Sequence, residues 1–206
     1  MKINQVALLI AVVSALSCSS GSKTEPAKSA TDLKKGCCSK ETNAGASTAI
    51  SDESIFNISS QWKTQKREAF EFSMLKGKVT VAAMIFTSCQ SACPRIMADI
   101  KKIESNLSVT ERKQVQFLLI TMDPVRDTPG RLSAFKNEHQ LNDSWTLICS
   151  AEDATTEIAN VLGVRIKKLS GEGFDHSNTI FVIGTNGVIA QKQEGLGGEP
   201  TETLAA

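Results

Sequence analysis

Cys89 and Cys93 stand in the stretch Phe86-Thr87-Ser88-Cys89-Gln90-Ser91-Ala92-Cys93-Pro94. Positions i and i+4 share a face of a helical turn, so the two sulfurs can converge on one point. The apolar run Val79 to Phe86 predicts a buried central strand leading in, and the pattern from Pro94 to Ser105 predicts a helix leading out. The thiols then lie at a helix start, where backbone N–H groups have no partner and the partial positive charge favours thiolate over thiol. A thiolate pair either attacks a disulfide or binds a soft metal ion. Redox pairs of the thioredoxin class usually have two residues between their cysteines. Three residues widen the loop and leave both chemistries open.

The chain has two histidines. His139 follows Lys136, Asn137 and Glu138 at the end of a predicted surface helix and reads as solvated. His176 lies in Gly173-Phe174-Asp175-His176-Ser177-Asn178, just ahead of a predicted buried strand. A loop there would reach the sheet end that carries the thiols. Two thiolates and one imidazole form a soft, low-coordinate set suited to Cu(I), and able to hold Cu(II) with an added ligand. Asp123 and Asp127 bracket Pro124-Val125-Arg126 after a second apolar run, Val115 to Met122. Asp127 reads as part of the turn before a helix. Asp123, at the end of a central strand, reads either as a strand terminator or as a carboxylate that orients a ligand and tunes its charge. Arg126 could pair with either.

The elements that must position these groups follow from pattern. Ser54 to Ile58 and Ala69 to Phe72 partly alternate and predict an opening hairpin, with Trp62 between them capping the core. Ile96, Ile100, Ile103 and Leu107 mark the buried face of the helix after the cysteines, with Pro94 at its first position. Thr128-Pro129 reads as N-cap and first residue of a helix burying Leu132 and Phe135. Trp145 to Cys149 predicts a short strand, in which Cys149 is a buried small hydrophobe. Asp153 caps a helix to Leu162, and Gly163 ends it. Thr179 to Ile183 and Val188 to Ala190 flank Thr185-Asn186-Gly187, a hairpin signal. The tail from Gly195 onward is assigned no structure. The fold class is α/β: a central mixed sheet flanked by helices, thioredoxin-like in element order, with an N-terminal extension.

That extension carries an address. Lys2 precedes an apolar run, Val6 to Leu16, which is too short for a membrane span of about 20 residues. It ends in Ala15-Leu16-Ser17-Cys18, small residues before a cysteine, as at a bacterial lipoprotein cleavage site with Cys18 lipidated. The domain boundaries are then 1–18 for the signal, 19–53 for a Ser-, Thr-, Ala- and Lys-rich tether, and 54–206 for the folded domain. The expected location is the bacterial cell envelope, facing the periplasm or exterior and held to the membrane by a lipid anchor. Cys37 and Cys38, inside the tether, read as exposed linker thiols or as an auxiliary metal or redox handle. The formal net charge of +1 comes without a long basic block, so nucleic acid is not an expected partner.

Three stretches together resemble the SCO/SenC family of copper-binding assembly proteins: Thr87 to Pro94, then Thr121-Met122-Asp123-Pro124-Val125-Arg126-Asp127-Thr128-Pro129, then Asp175-His176-Ser177. The resemblance runs from about Ile55 to Ala190. It implies a membrane-tethered, thioredoxin-like protein in which Cys89, Cys93 and His176 bind copper, as Cu(I) and Cu(II). It implies a part in building the copper centre of cytochrome c oxidase, with that centre's subunit or another copper chaperone as partner. Gln90 departs from the proline common after the first cysteine of the family and leaves the loop less rigid. Two functions therefore stand side by side. One is a metallochaperone without turnover. The other is a thiol–disulfide oxidoreductase that cycles a Cys89–Cys93 disulfide to keep a partner's cysteines reduced.

Overall fold

The computed structural model describes residues 50–170 and 173–197. The chain divides into two units, 1–45 and 46–206, and all described residues belong to the second. The expected signal, Cys18, Cys37 and Cys38 lie outside the described residues, as does the tether through residue 49.

The apolar runs become the centre of a seven-stranded sheet. In chain order its strands are β1 (Trp62–Thr64), β2 (Ala69–Phe70), β3 (Val79–Ile85), β4 (Val115–Thr121) and β5 (Trp145–Cys149). The last two are β8 (Thr179–Ile183) and β9 (Ile189–Glu194), and the spatial order is β2-β1-β5-β4-β3-β8-β9. β3, β4 and β5 run parallel in the centre, and the remaining pairings are antiparallel. Strands covered on both faces need apolar side chains at every position, which is why Val81 to Ile85, Phe117 to Ile120 and Ile180 to Ile183 are continuous runs rather than alternations. The helices supply the cover: α1 (Ala92–Asn106), the short α2 (Glu111–Gln114), α3 (Pro129–Glu138) and α4 (Glu152–Leu162). α1 packs on β3 and β8, and α3 packs on β5. A mixed sheet between helices, with thiols where β3 hands over to α1, is the expected thioredoxin-like architecture.

Register decides what meets at the site. The parallel pairing sets Ile85 beside Thr121, so β3 and β4 end at the same edge of the sheet. The antiparallel pairing sets Ala83 beside Ile180, so the residues just before β8 lie beside the residues just after β3. His176 and Phe86 are thereby brought to one place, from segments far apart in the chain.

Several local expectations change. Ser54 to Ile58 is not a strand: Ile55–Asn57 is a 3-10 turn, because the Ser54 hydroxyl accepts the Phe56 N–H and closes it. The opening hairpin instead pairs β1 with β2, and Trp62 starts β1, buried edge-on against Phe72. α1 begins at Ala92, which places Pro94 third rather than first. It is still within the first turn, where a missing N–H costs nothing. Leu107 is the buried C-cap of α1 rather than a residue within it. Asp153 sits in the first turn of α4, whose N-cap is Ala151. β9 runs to Glu194, past the expected Ala190. The segment before β8 is not a plain loop but a two-stranded ribbon of β6 (Ile166–Lys168) and β7 (Phe174–His176).

Candidate metal centre

Ser91, the N-cap residue of α1, makes no side-chain capping bond. The sulfur of Cys89 does that work, accepting the Cys93 backbone N–H at 3.3 Å. Burial pushes the Cys89 thiol up, but the amides of Cys93, Ser91 and Ala92 and the Cys93 thiol outweigh it, and its pKa falls below the ordinary value. Cys93 is almost fully buried on the inner face of α1. Burial pushes its thiol well up; the Phe86 amide opposes this, while the hydrogen bond and charge of Cys89 and the charge of Asp127 add to it. The two shifts thus run in opposite directions, down for the outer sulfur and up for the inner one. Cys89, Cys93 and Cys149 are free thiols.

His176 ends β7, with its Cα opposite Ile166. Its Nδ1 lies 3.1 Å from the carbonyl oxygen of Ser177. A carbonyl only accepts, so Nδ1 carries the proton in that bond and Nε2 keeps its lone pair for a ligand. The imidazole stands edge-on to Phe86, ring centroids 5.9 Å apart. Phe174 stands edge-on to the same ring at 5.2 Å. Phe86 in turn accepts the Cys89 N–H on its carbonyl at 3.1 Å. Phe86 is therefore the common neighbour of the thiol turn and the imidazole. The three donors share one edge of the sheet but are not preassembled: among the described residues, no three His, Cys, Asp or Glu side chains converge closely enough to hold a metal ion.

Asp123 is buried and accepts the Arg126 backbone N–H, and its carboxylate pairs with the Arg126 guanidinium. That guanidinium lies 5.9 Å from the centroid of the Phe174 ring. Asp123 thus reaches the site through Arg126 and Phe174, on the imidazole side. Asp127, expected to serve only the local turn, is fully buried and bonds to Thr87, forty residues away in sequence. Sequence reading missed Phe86, Thr87, Thr121 and Asp127 as supports of the site. The available signal was a polar residue at the end of each buried run, Thr87 and Thr121, which needs a buried partner. His139, expected to be solvated, is half-buried with its ring 4.2 Å from that of Phe135. Burial, then the charge of Lys101, holds its pKa down. Cys149 is buried at the end of β5, as expected.

The family model described as SCO1/SenC matches residues 51–205. The chain belongs to the SCO1/SenC family. The SCO1 protein homolog of Bacillus subtilis (strain 168) is 24% identical over 147 residues, covering 69% of this chain and 76% of that one. A SCO1/SenC family lipoprotein from Bacillus anthracis str. Ames superposes with a TM-score of 0.63 at 28% identity, over 70% of this chain and 87% of that one. ScoI of Bradyrhizobium japonicum, solved with copper bound, has a TM-score of 0.61 at 22% identity, over 70% and 92% of the two chains. In this SCO1/SenC chain Cys89 and Cys93 stand where β3 gives way to α1, and His176 ends the β6–β7 ribbon.

Proposed function

We propose that this chain is a copper carrier of the bacterial cell envelope, anchored by a lipid on Cys18 and facing the periplasm or exterior. It takes up copper with the thiolates of Cys89 and Cys93 and with Nε2 of His176. It passes the ion by ligand exchange to a recipient, the copper-centre subunit of cytochrome c oxidase or another copper chaperone. Copper is the cargo, in both Cu(I) and Cu(II) states, and no substrate is turned over. The observation that carries this reading is the position of Phe86, which touches the His176 ring on one side and holds the Cys89 turn on the other. The copper-bound ScoI structure, which shares the fold, supports it. Because the donors are not preassembled, the ion itself draws the imidazole toward the sulfurs, and affinity carries the cost of that movement.

The test is a copper titration of the reduced protein, followed by thiolate-to-Cu(II) charge-transfer absorption and EPR. His176→Ala weakens copper binding by roughly 100-fold, or about 2.7 kcal/mol, while thiol–disulfide exchange changes little. Equal copper affinity in the variant and the parent overturns the three-donor site.

The opposite shifts of the two thiols favour a second reading, a thiol–disulfide reductase that keeps a partner's cysteines reduced. The Cys89 thiolate attacks the partner disulfide and forms a mixed disulfide, releasing one partner thiolate. Cys93 gives up its proton and attacks the Cys89 sulfur, releasing the second thiolate and leaving a Cys89–Cys93 disulfide. His176 discriminates the readings, since this exchange does not need it.

A further inference from the structure

We propose that Asp127 is a positioning residue for the thiol pair: its buried carboxylate ties Thr87, at the head of the Cys89–Cys93 turn, to Thr121, at the end of the neighbouring strand. The inference rests on Cys89 and Cys93 being the working pair, which both readings above share.

Three buried donors hold the carboxylate. One oxygen, Oδ2, lies 3.0 Å from the Thr87 backbone nitrogen and accepts its N–H. The same oxygen accepts the Thr121 hydroxyl, and Oδ1 accepts the Thr87 hydroxyl. Each hydroxyl oxygen also accepts a bond from another donor. The Thr87 oxygen accepts from Arg131 Nε at 3.0 Å, and Arg131 has no acceptor to offer. The Thr121 oxygen accepts the Asp123 N–H at 2.9 Å. Each hydroxyl keeps its own proton for Asp127, whose carboxylate oxygens accept. Three donors meet two oxygens with no water-exposed surface, since Asp127 is 0% exposed.

The consequence falls on the turn. Thr87 is two residues ahead of Cys89, and the strand hydrogen bonds of β3 stop at Ile85. Beyond that point the chain crosses to α1 with little sheet to hold it. Asp127 supplies the hold from the far side, while Arg131, itself paired with Glu138 at 2.8 Å, holds the Thr87 hydroxyl from the surface. Closing a disulfide requires the two sulfurs in a narrow geometry. A turn pinned at Thr87 keeps them near it, which raises the effective concentration of one thiol at the other.

Asn at position 127 keeps the volume but replaces one acceptor oxygen by an NH₂ donor, so at least one of the three donors loses its acceptor. Ala removes all three bonds and leaves three buried donors unpaired.

The test needs no metal, so it stands whether or not the chain carries copper. The full chain is equilibrated with mixtures of reduced and oxidised glutathione. Two electrons and two protons pass from the Cys89–Cys93 dithiol to glutathione disulfide, giving the protein disulfide and two molecules of reduced glutathione. The Cys89–Cys93 disulfide is quantified by peptide mapping. Asp127→Ala is expected to lower the equilibrium constant for disulfide formation by about tenfold, and Asp127→Asn by less. Should Asp127→Ala fail to fold, Thr87→Val removes the hydroxyl, and with it the bond to Asp127 and the bond from Arg131, and Thr87→Ser restores both: loss in the first and rescue in the second are the expected results. Leu162→Ala, in the core of α4, controls for general loss of stability and leaves the equilibrium unmoved. The proposal is overturned if Asp127→Asn and Thr87→Val match the parent, or if Leu162→Ala shifts the equilibrium as far.

Discussion

The Cys89 sulfur accepts the backbone N–H of Cys93, so one thiol of the pair caps the helix that contains the other. The cap is local chemistry with a functional result: a sulfur that satisfies unpaired amides at a helix start is stabilised as thiolate, while its buried partner is not. The two thiols should therefore be separable by alkylation. With iodoacetamide at pH 7 to 8, peptide mapping of the reduced protein shows Cys89 modified at least about tenfold faster than Cys93, since reaction follows the thiolate fraction and access. Equal rates at the two sites would mean that the helix start does not divide them.

Much of this was legible in the chain itself. Val79 to Phe86 and Val115 to Met122 read as buried strands because they are near-continuous apolar runs, and Thr128-Pro129 read as a helix start because both residue types suit it. Thr128 does accept the Arg131 N–H. The β6–β7 ribbon was not legible. Ile166-Lys167-Lys168 and Phe174-Asp175-His176 are three residues each, too short to establish a period, and largely open to solvent. Asp127 was misjudged for another reason. Its turn is visible in its neighbours, but its partner Thr87 is not, because a side-chain contact forty residues long leaves no local pattern.

Gly187 tests how the N-terminal turn is joined to the closing hairpin. Its φ is +82°, in the left-handed region, and an added Cβ would lie 2.2 Å from the Ser54 hydroxyl oxygen and 2.8 Å from the Phe56 ring. The Ile55 N–H also donates to the Gly187 carbonyl at 2.9 Å. Gly187→Ala therefore combines backbone strain with a clash, and is expected to cost about 2 to 4 kcal/mol in urea unfolding. Gly195 supplies the control. Its φ is +86°, but nothing lies within 4 Å of an added Cβ. Gly195→Ala should cost only the strain, about 1 kcal/mol. Similar losses at both positions would show that the close approach at Gly187 contributes nothing.

The buried thiol of Cys93 makes stability depend on alkaline pH. Its folded pKa is raised above the ordinary value of 9.0, chiefly by burial. The unfolded chain therefore releases this proton at lower pH than the folded chain does. The contribution to stability is complete below the unfolded value and is lost as pH rises from there toward the raised folded value. Cys149 is raised in the same direction, by burial and then by the charge of Asp127, and adds to the slope. Urea midpoints of the reduced protein should accordingly fall as pH rises past about 9, offset in part by Cys89, whose lowered thiol contributes in the opposite sense. Cys93→Ala removes the titrating group and isolates its share: the variant is less stable at pH 7, because a buried side chain has been truncated, but its decline toward pH 10 is shallower than the parent's. Parallel decline in the two proteins would mean that the Cys93 thiol ionises as easily folded as unfolded, and that the division of labour between the two sulfurs is absent.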